Sequence, residues 1–342
     1  MMPSELVPVL DDVYCRPVHL VDFYVSSIGD RRHTATLVRV LTTLHPLGQY
    51  QHLKRVRAMK NKGVRILLCP AEPQQKAGEA QRDSDNSCAP ACTTLTSLLK
   101  NTKLPASSLS KPYLVKVPRH PPATRKQYDE ASLYWPVTFH EDKEISQLLS
   151  GEFFSAEEVQ KIKSYLQEAE TMATAAAQKG QEPVGIVIVD PERDRTIAKG
   201  HDLRQGKNPL HHAVMVGVDL VAKSQGGGMW TLTDSDFYVR PEEQMDSKGD
   251  VHRSSSTDVS SGKEKVGPYL CTAYDVYVTQ EPCPMCCMAL VHSRVGRVFY
   301  IKPHVDGGLG SRYKIHVQNG LNHHFSVFQW TGTWRHNNTD PT

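Results

Sequence analysis

Apolar residues recur along this chain in two rhythms. Between Thr34 and Leu44 they fall at Leu37, Val40, Leu41 and Leu44, the spacing of one helical face, and His45-Pro46-Leu47-Gly48 ends the run. Val18–Ile28 is instead rich in β-branched and aromatic residues, as a strand is. Leu53–Met59 and Val64–Cys69 read as two more strands about a turn at Lys60-Asn61-Lys62-Gly63. Ala91–Lys100 fits a second helix and Tyr113–Val117 a fourth strand. Further on, Ser155 with Glu158 three residues later forms a capping box opening a long helix to about Gln178, stopped at Gly180. Val184–Val189 is continuously apolar, hence a strand buried on both faces. Thr196–Lys199, Asp275–Thr279 and Arg297–Ile301 add strands, His211–Ala222 and Cys283–His292 helices, and Leu321–Trp330 a last strand or helix.

The N-terminal order is βαββαβ, the ferredoxin-like α+β arrangement. The C-terminal half alternates strands and helices, an α/β sheet with helices on its faces. At 342 residues the chain is too long for one ordinary domain. The expected division is a domain over 1–117, a proline-bearing linker over 118–150, and a second domain over 151–342. The stretch 224–268, rich in Gly, Ser, Asp and Lys, reads as a disordered insertion within it. No run of about 18 apolar residues exists, so no membrane-spanning helix is expected. Glu5, Asp11 and Asp12 occupy the start without a basic-then-apolar pattern, which argues against secretion.

Net charge is only +3, yet it is unevenly placed. From Arg31 to Ala71 there is no Asp or Glu but nine Lys and Arg, and from Asn86 to Tyr128 no acid but seven more. Two such blocks are the footprint expected of a phosphate-backbone binder; a solvated basic face or a nuclear-import patch is the blander alternative. Lys54, Arg55, Arg57, Lys60, Lys62 and Arg65 are the candidate phosphate contacts.

Candidate chemistry sits in two short pieces, His212-Ala213-Val214 and Pro282-Cys283-Pro284-Met285-Cys286. A C-x-x-C pair opening a helix brings two sulfurs to one side, where the helix N-terminus favours thiolates. Alone it is equally compatible with redox chemistry. With a His at the start of an upstream helix, it supplies three zinc ligands and leaves a fourth position open. Cys287 has the wrong spacing and reads as a small core residue. His211 is one position off the ligand register. His323-His324 reads as a pair of solvated or core histidines rather than a second metal site. Three cysteines within five positions point to metal chemistry in a reducing compartment, and the nucleus and cytoplasm are the expected locations.

This constellation resembles the zinc-dependent cytidine and nucleobase deaminase superfamily, whose signature is H-x-E…P-C-x-x-C. Ser155 to about Trp330 spans the resemblance, and Gly200-His201-Asp202 is most similar to the tRNA adenosine deaminases within it. The resemblance implies a cytidine-deaminase-like three-layer α/β domain and Zn2+ held by His212, Cys283 and Cys286. It departs at one position. The glutamate that carries protons between water, ring and leaving ammonia is replaced by Val214, which can carry none; such a loss typically costs about 10²–10⁴-fold or more. With its basic front end, the chain resembles the non-catalytic-subunit branch of the eukaryotic heterodimeric tRNA adenosine deaminases, which convert wobble adenosine to inosine. A catalytic deaminase partner and tRNA are thereby implied. Two other readings stand beside this pseudo-deaminase: an active nucleobase or nucleoside deaminase with a displaced proton shuttle, and an RNA-binding module whose C-terminal half survives only as a fold.

Overall fold

A computed structural model describes residues 5–59, 63–71, 108–241 and 270–332. The chain forms two compact units, residues 12–146 and residues 147–342 joined by 1–11. The boundaries differ from those expected at both ends, and each difference has a physical cause. Leu6–Pro8 is a strand, β1, that pairs antiparallel with the far C-terminal segment Ser326–Trp330, so the first residues complete the second unit. The stretch expected as a linker is helical. Thr124 and Gln127 form a reciprocal capping box that starts α3 (Arg125–Tyr134) despite the prolines before it, and α4 (Lys143–Ser150) follows.

The unit at 12–146 contains α1 (Asp12–Cys15), β2 (Leu20–Ile28), α2 (Thr34–Leu44), β3 (Val56–Ala58), β4 (Val64–Pro70) and β5 (Tyr113–Pro118). The four strands form one antiparallel sheet ordered β3-β4-β2-β5. The helix expected over 91–100 lies outside the described residues, as do Lys60 and Lys62. One face of the sheet buries Ile28, Ile66 and Leu68 against Leu37 and Leu41 of α2. The other buries Phe23, Val25 and Leu67 under Tyr50, Leu53, Ala131, Trp135 and Val137. Trp135 is fully buried, and its indole N–H donates to the Lys54 carbonyl at 2.7 Å. The expected linker is therefore the second cover of this sheet.

The other unit is a seven-stranded sheet ordered β1-β11-β10-β9-β6-β7-β8. Its further elements are α5 (Ala156–Gln178), β6 (Gly185–Asp190), β7 (Arg195–His201), α6 (Ala213–Ser224), β8 (Tyr238–Val239), β9 (Asp275–Gln280), α7 (Pro284–His292), β10 (Arg297–Lys302) and β11 (Ser326–Trp330). Strands β9, β10 and β11 run parallel; the other pairings are antiparallel. Every residue of β6 is buried, as the apolar run requires. Ile186, Ile188, Val276, Val278 and Val298 face α6 and α7. On the opposite face Tyr277, Phe299 and Phe328 stack in register across three strands, with ring centroids 4.9 and 5.2 Å apart. Helix α5 covers the α6-free face over β6 and β9, and a Cβ at Gly185 would stand 2.0 Å from the Ala169 carbonyl oxygen; only glycine lets it approach so closely. The Ser155–Glu158 capping box is formed in both directions. Three layers result, α5 over the sheet over α6 and α7.

The segment expected to be disordered from Ser224 is ordered as far as residue 241. Asp219 accepts from the Met229 N–H at 2.6 Å, Phe237 packs edge-on against His201, and β8 pairs with β7. Lys179 bridges Asp234 and Asp236. Polar composition hides these anchors, because the order comes from ion pairs, a sheet edge and a few apolar side chains, Leu232, Phe237 and Val239, packed on the core. The remainder, 242–268, lies outside the described residues.

Candidate metal centre

Both halves of the constellation lie at helix N-termini. His212 is the N-cap residue of α6, reached from the end of β7, and Cys283 is the N-cap of α7, reached from the end of β9. Pro284 at the first helical position fixes the entry, and Cys286 follows one turn later. The two helices pack side by side on one sheet face, so their N-termini converge. The donor atoms of His212, Cys283 and Cys286 lie within 4.8 Å of one another, and Cys283 Sγ is 3.6 Å from His212 Nδ1. All three expected ligands are brought together.

The electrostatics favour a thiolate. The Cys286 thiol donates to Cys283, and this bond outweighs the cost of burial; with help from the Cys286 backbone N–H and His212, it lowers the Cys283 thiol to about 5. Cys286, as the donor and buried, is pushed up. A hard proton between two sulfurs at paired helix N-termini is the situation a soft divalent cation relieves. One imidazole and two cysteines fit Zn2+ with one position left over.

Neighbouring residues brace this arrangement. Asp202, wholly buried, accepts from the Ala213 backbone N–H at 3.1 Å and so caps α6 directly beside His212. Its carboxylate is also clasped by Arg204, at 2.9 and 2.6 Å. Asp202 sits in the Gly200-His201-Asp202 motif, whose spacing ahead of the histidine was visible but whose capping role was not. On the other side, Glu281 is 2% exposed, and its carboxylate accepts from the backbone N–H groups of His304, Leu309 and Ser311 at 3.0 Å each. The Ser311 hydroxyl also donates to it. The loop wraps so closely that a Cβ at Gly307 would lie 2.1 Å from the Glu281 carboxyl carbon.

These residues enclose a cavity of about 40 Å3, between His212, Val214, Arg204, Glu281 and Cys283. At ~10–15 Å3 per water it has room for an ion and a few waters. Val214 is 2% exposed and packs within the core cluster, filling the place where a proton carrier would stand. Glu281 is the one carboxylate among the residues lining the cavity, and its oxygens are already committed. The expected bystanders are bystanders. Cys287 is buried and donates to the Pro282 carbonyl; His211 turns away to Asn208 and Trp230; His323 and His324 contact the carbonyls of Val295 and Gln318.

The basic candidates of the N-terminal unit divide. Lys54 is exposed. Arg57 stacks on Trp135, 5.8 Å from its centroid, and Arg65 on Tyr113 at 5.5 Å; the two arginines are register partners on one sheet face. Arg55 is different. Its guanidinium donates to the carbonyls of Leu67, Leu68, Leu41 and His45 at 2.7–3.3 Å. It ties the end of α2 to β4, so its charge serves the fold, and it is removed from the phosphate contacts.

Fold and site together define a deaminase-superfamily domain that keeps the metal donors and lacks the proton carrier. Residues 159–247 and 254–302 match the family described as the cytidine and deoxycytidylate deaminase zinc-binding region, and residues 21–135 match the tRNA-specific adenosine deaminase TAD3 N-terminal domain. The chain is 41% identical to "Probable inactive tRNA-specific adenosine deaminase-like protein 3" of Danio rerio, over 95% of this chain and 91% of that protein. It is 40% identical to the protein of the same name from Homo sapiens, covering 96% and 89%. It is 29% identical to "tRNA-specific adenosine deaminase subunit TAD3" of Saccharomyces cerevisiae, covering 82% and 74%. The chain belongs to the inactive tRNA-specific adenosine deaminase-like protein 3 family, and it is a pseudo-deaminase.

Proposed function

We propose that this chain is the zinc-bearing, non-catalytic subunit of a tRNA adenosine deaminase that converts wobble adenosine to inosine. It pairs with a catalytic deaminase subunit and holds tRNA. One observation carries the reading: the cavity retains His212, Cys283 and Cys286 while Val214 fills the acid position and Glu281 is consumed by the loop. That commitment of Glu281 also removes the displaced-shuttle alternative, since no free carboxylate lines the cavity among the described residues.

Zn2+ held by His212, Cys283 and Cys286 would tie the starts of α6 and α7 together, with no proton carrier beside it to serve hydrolysis. The chain's own residues do the rest. Cys283 and Cys286 hold the start of α7, His212 the start of α6, and Asp202 orients the latter. The sheet order β3-β4-β2-β5 with α2 between β2 and β3 supports a ferredoxin-like N-terminal domain, on which Lys54, Arg57 and Arg65 present charge to tRNA phosphates.

The test is deamination of tRNA by purified components, with zinc measured by atomic emission. The chain alone is expected to carry about one zinc and turn over nothing. Added to a catalytic subunit it is expected to form a heterodimer, restore turnover and raise tRNA affinity. Activity of the isolated chain would overturn the reading.

A further inference from the structure

The N-terminal unit carries a second concentration of positive charge, away from β3 and β4. The chain between α1 and β2 holds Arg16 and His19, and the chain after β5 holds Arg119 and His120. Strand pairing brings them together: Leu20 opposes Pro118, and the Arg119 N–H donates to the His19 carbonyl at 2.8 Å. Gln127 of α3 clamps the arrangement. Its amide donates to the Val13 and Arg16 carbonyls at 3.0 Å each, and its oxygen accepts from the Ala123 N–H at 2.8 Å. The Arg16 guanidinium reaches across to the Pro121 carbonyl at 3.5 Å. The imidazoles of His19 and His120 stand edge to face, 6.5 Å apart, over a shallow cleft lined also by Arg16 and Gln127. Below them lies buried His52, its Nε2 3.0 Å from the Pro118 carbonyl.

Among the described residues neither Arg16 nor Arg119 forms an ion pair, whereas Arg125 pairs with Glu141, Arg297 with Asp275 and Arg312 with Asp306. Asp22, further along β2, is taken by Lys116 at 3.4 Å. His120 is held below its ordinary value by partial burial and then by Arg16, Arg119, His19 and His52. Such a cluster repels itself, and a bound anion relieves that repulsion. Guanidinium and imidazole N–H groups are matched donors for phosphate oxygens.

We propose that Arg16, His19, Arg119 and His120 form a binding site for a phosphate of an RNA backbone. This rests on the reading of the N-terminal unit as a tRNA-binding unit and names a contact at the β5 edge of its sheet, opposite the β3 edge that carries Arg57. The arginines hold charge at all relevant pH. Imidazole gains charge with acidity, so the contact strengthens as pH falls.

The experiment is tRNA binding by the full chain, followed by fluorescence anisotropy between 50 and 200 mM salt at pH 6.0 and 7.5. In Arg16→Gln/Arg119→Gln, affinity is expected to fall about tenfold, and the slope of log affinity against log salt to drop by about 1–2. Wild-type affinity is expected to rise several-fold on going to pH 6.0, a rise lost in His19→Gln/His120→Gln and kept in Arg57→Gln. Arg16→Lys/Arg119→Lys, which keeps the charge, retains most of the affinity and separates charge loss from misfolding. Unchanged tRNA affinity in the Gln double variant would overturn the site. So would histidine NMR signals that move with inorganic phosphate alone while tRNA affinity ignores the substitutions, which assigns the cleft to a free anion. A wild-type chain that binds no tRNA at any salt overturns the underlying tRNA reading, and this ligand with it.

Discussion

The two units hold their functional side chains in opposite ways. At the metal centre each donor is fixed by a helix start, and each helix start is fixed by buried hydrogen bonds, Asp202 on one side and the Glu281 loop on the other. In the N-terminal unit cations stand on strands and loops, and neighbours in sequence do unlike things. Arg55 is locked onto four carbonyls while Arg57 lies over an indole ring and Lys54 is exposed. A metal site is defined by convergence, so its spacing in the sequence carries its meaning. A phosphate surface is defined by which charges keep donors free for a ligand, unlike Arg55 with its four carbonyls, and no spacing encodes that.

The comparison breaks most visibly if the metal donors are dispensable. Replacing Cys283 or Cys286 with Ala is expected to abolish stoichiometric zinc and to lower soluble yield and thermal stability, because metal-binding free energy is folding free energy. Retention of one zinc per chain by Cys286→Ala, read by atomic emission, would show that the helix starts do not define the site.

Arg55→Ala is expected to cost about 2–4 kcal/mol in urea unfolding, since several carbonyls lose a charged donor, each such bond being worth about 1.5–3 kcal/mol and the set less than additive. Arg57→Ala, which loses a single carbonyl bond to Tyr134 and the indole contact, is expected to cost about 1–2 kcal/mol while weakening tRNA binding. Equal stability losses would erase the distinction between the two arginines.

Asp202→Ala comes next, at about 1–2 kcal/mol for a lost helix cap, with zinc affinity lowered by about 10–100-fold through the freed His212. A competition titration against a chelator reads the second effect directly.

A last effect is read across pH rather than as a single loss. In the metal-free chain the Cys283 thiol is lowered in the fold to about 5, from an ordinary value of 9.0. The thiolate form is therefore favoured by folding. Its stabilising contribution is complete above pH 9 and is lost as pH falls toward 5. Thermal scans of metal-free protein across that window should show a decline absent from Cys283→Ser.

Much of the second unit was legible because its signals are local and redundant. The apolar run at 184–189, the Ser155–Glu158 capping box and the P-C-x-x-C start each announce an element within a few residues. Helix α3 was legible too, since Thr124-Arg125-Lys126-Gln127 is the same capping signature, but the prolines before it outweighed it in the reading. Strand β1 was not, because three residues paired with a segment more than 300 positions away leave no local trace. The order of 225–241 escaped for a related reason. Its stabilisers, Lys179, His201 and Asp219, lie outside the segment whose composition was judged. At the cavity, Val214 discloses the missing acid, but nothing local to Glu281 tells that its oxygens are taken by backbone 23–30 positions further on.

The pairing of Leu6–Pro8 with Ser326–Trp330 also sets a timetable. The Thr331 N–H donates to the Glu5 carbonyl across 326 positions of chain. A ribosome adding about 5–20 residues per second needs roughly 15–65 s to bridge that interval. Throughout that time β1 is a strand without a partner, and the 12–146 unit is free to fold before the sheet that β1 belongs to is finished. Strand β11 is thus completed by β1, and the sheet acquires this edge only after nearly every other strand in it has been made.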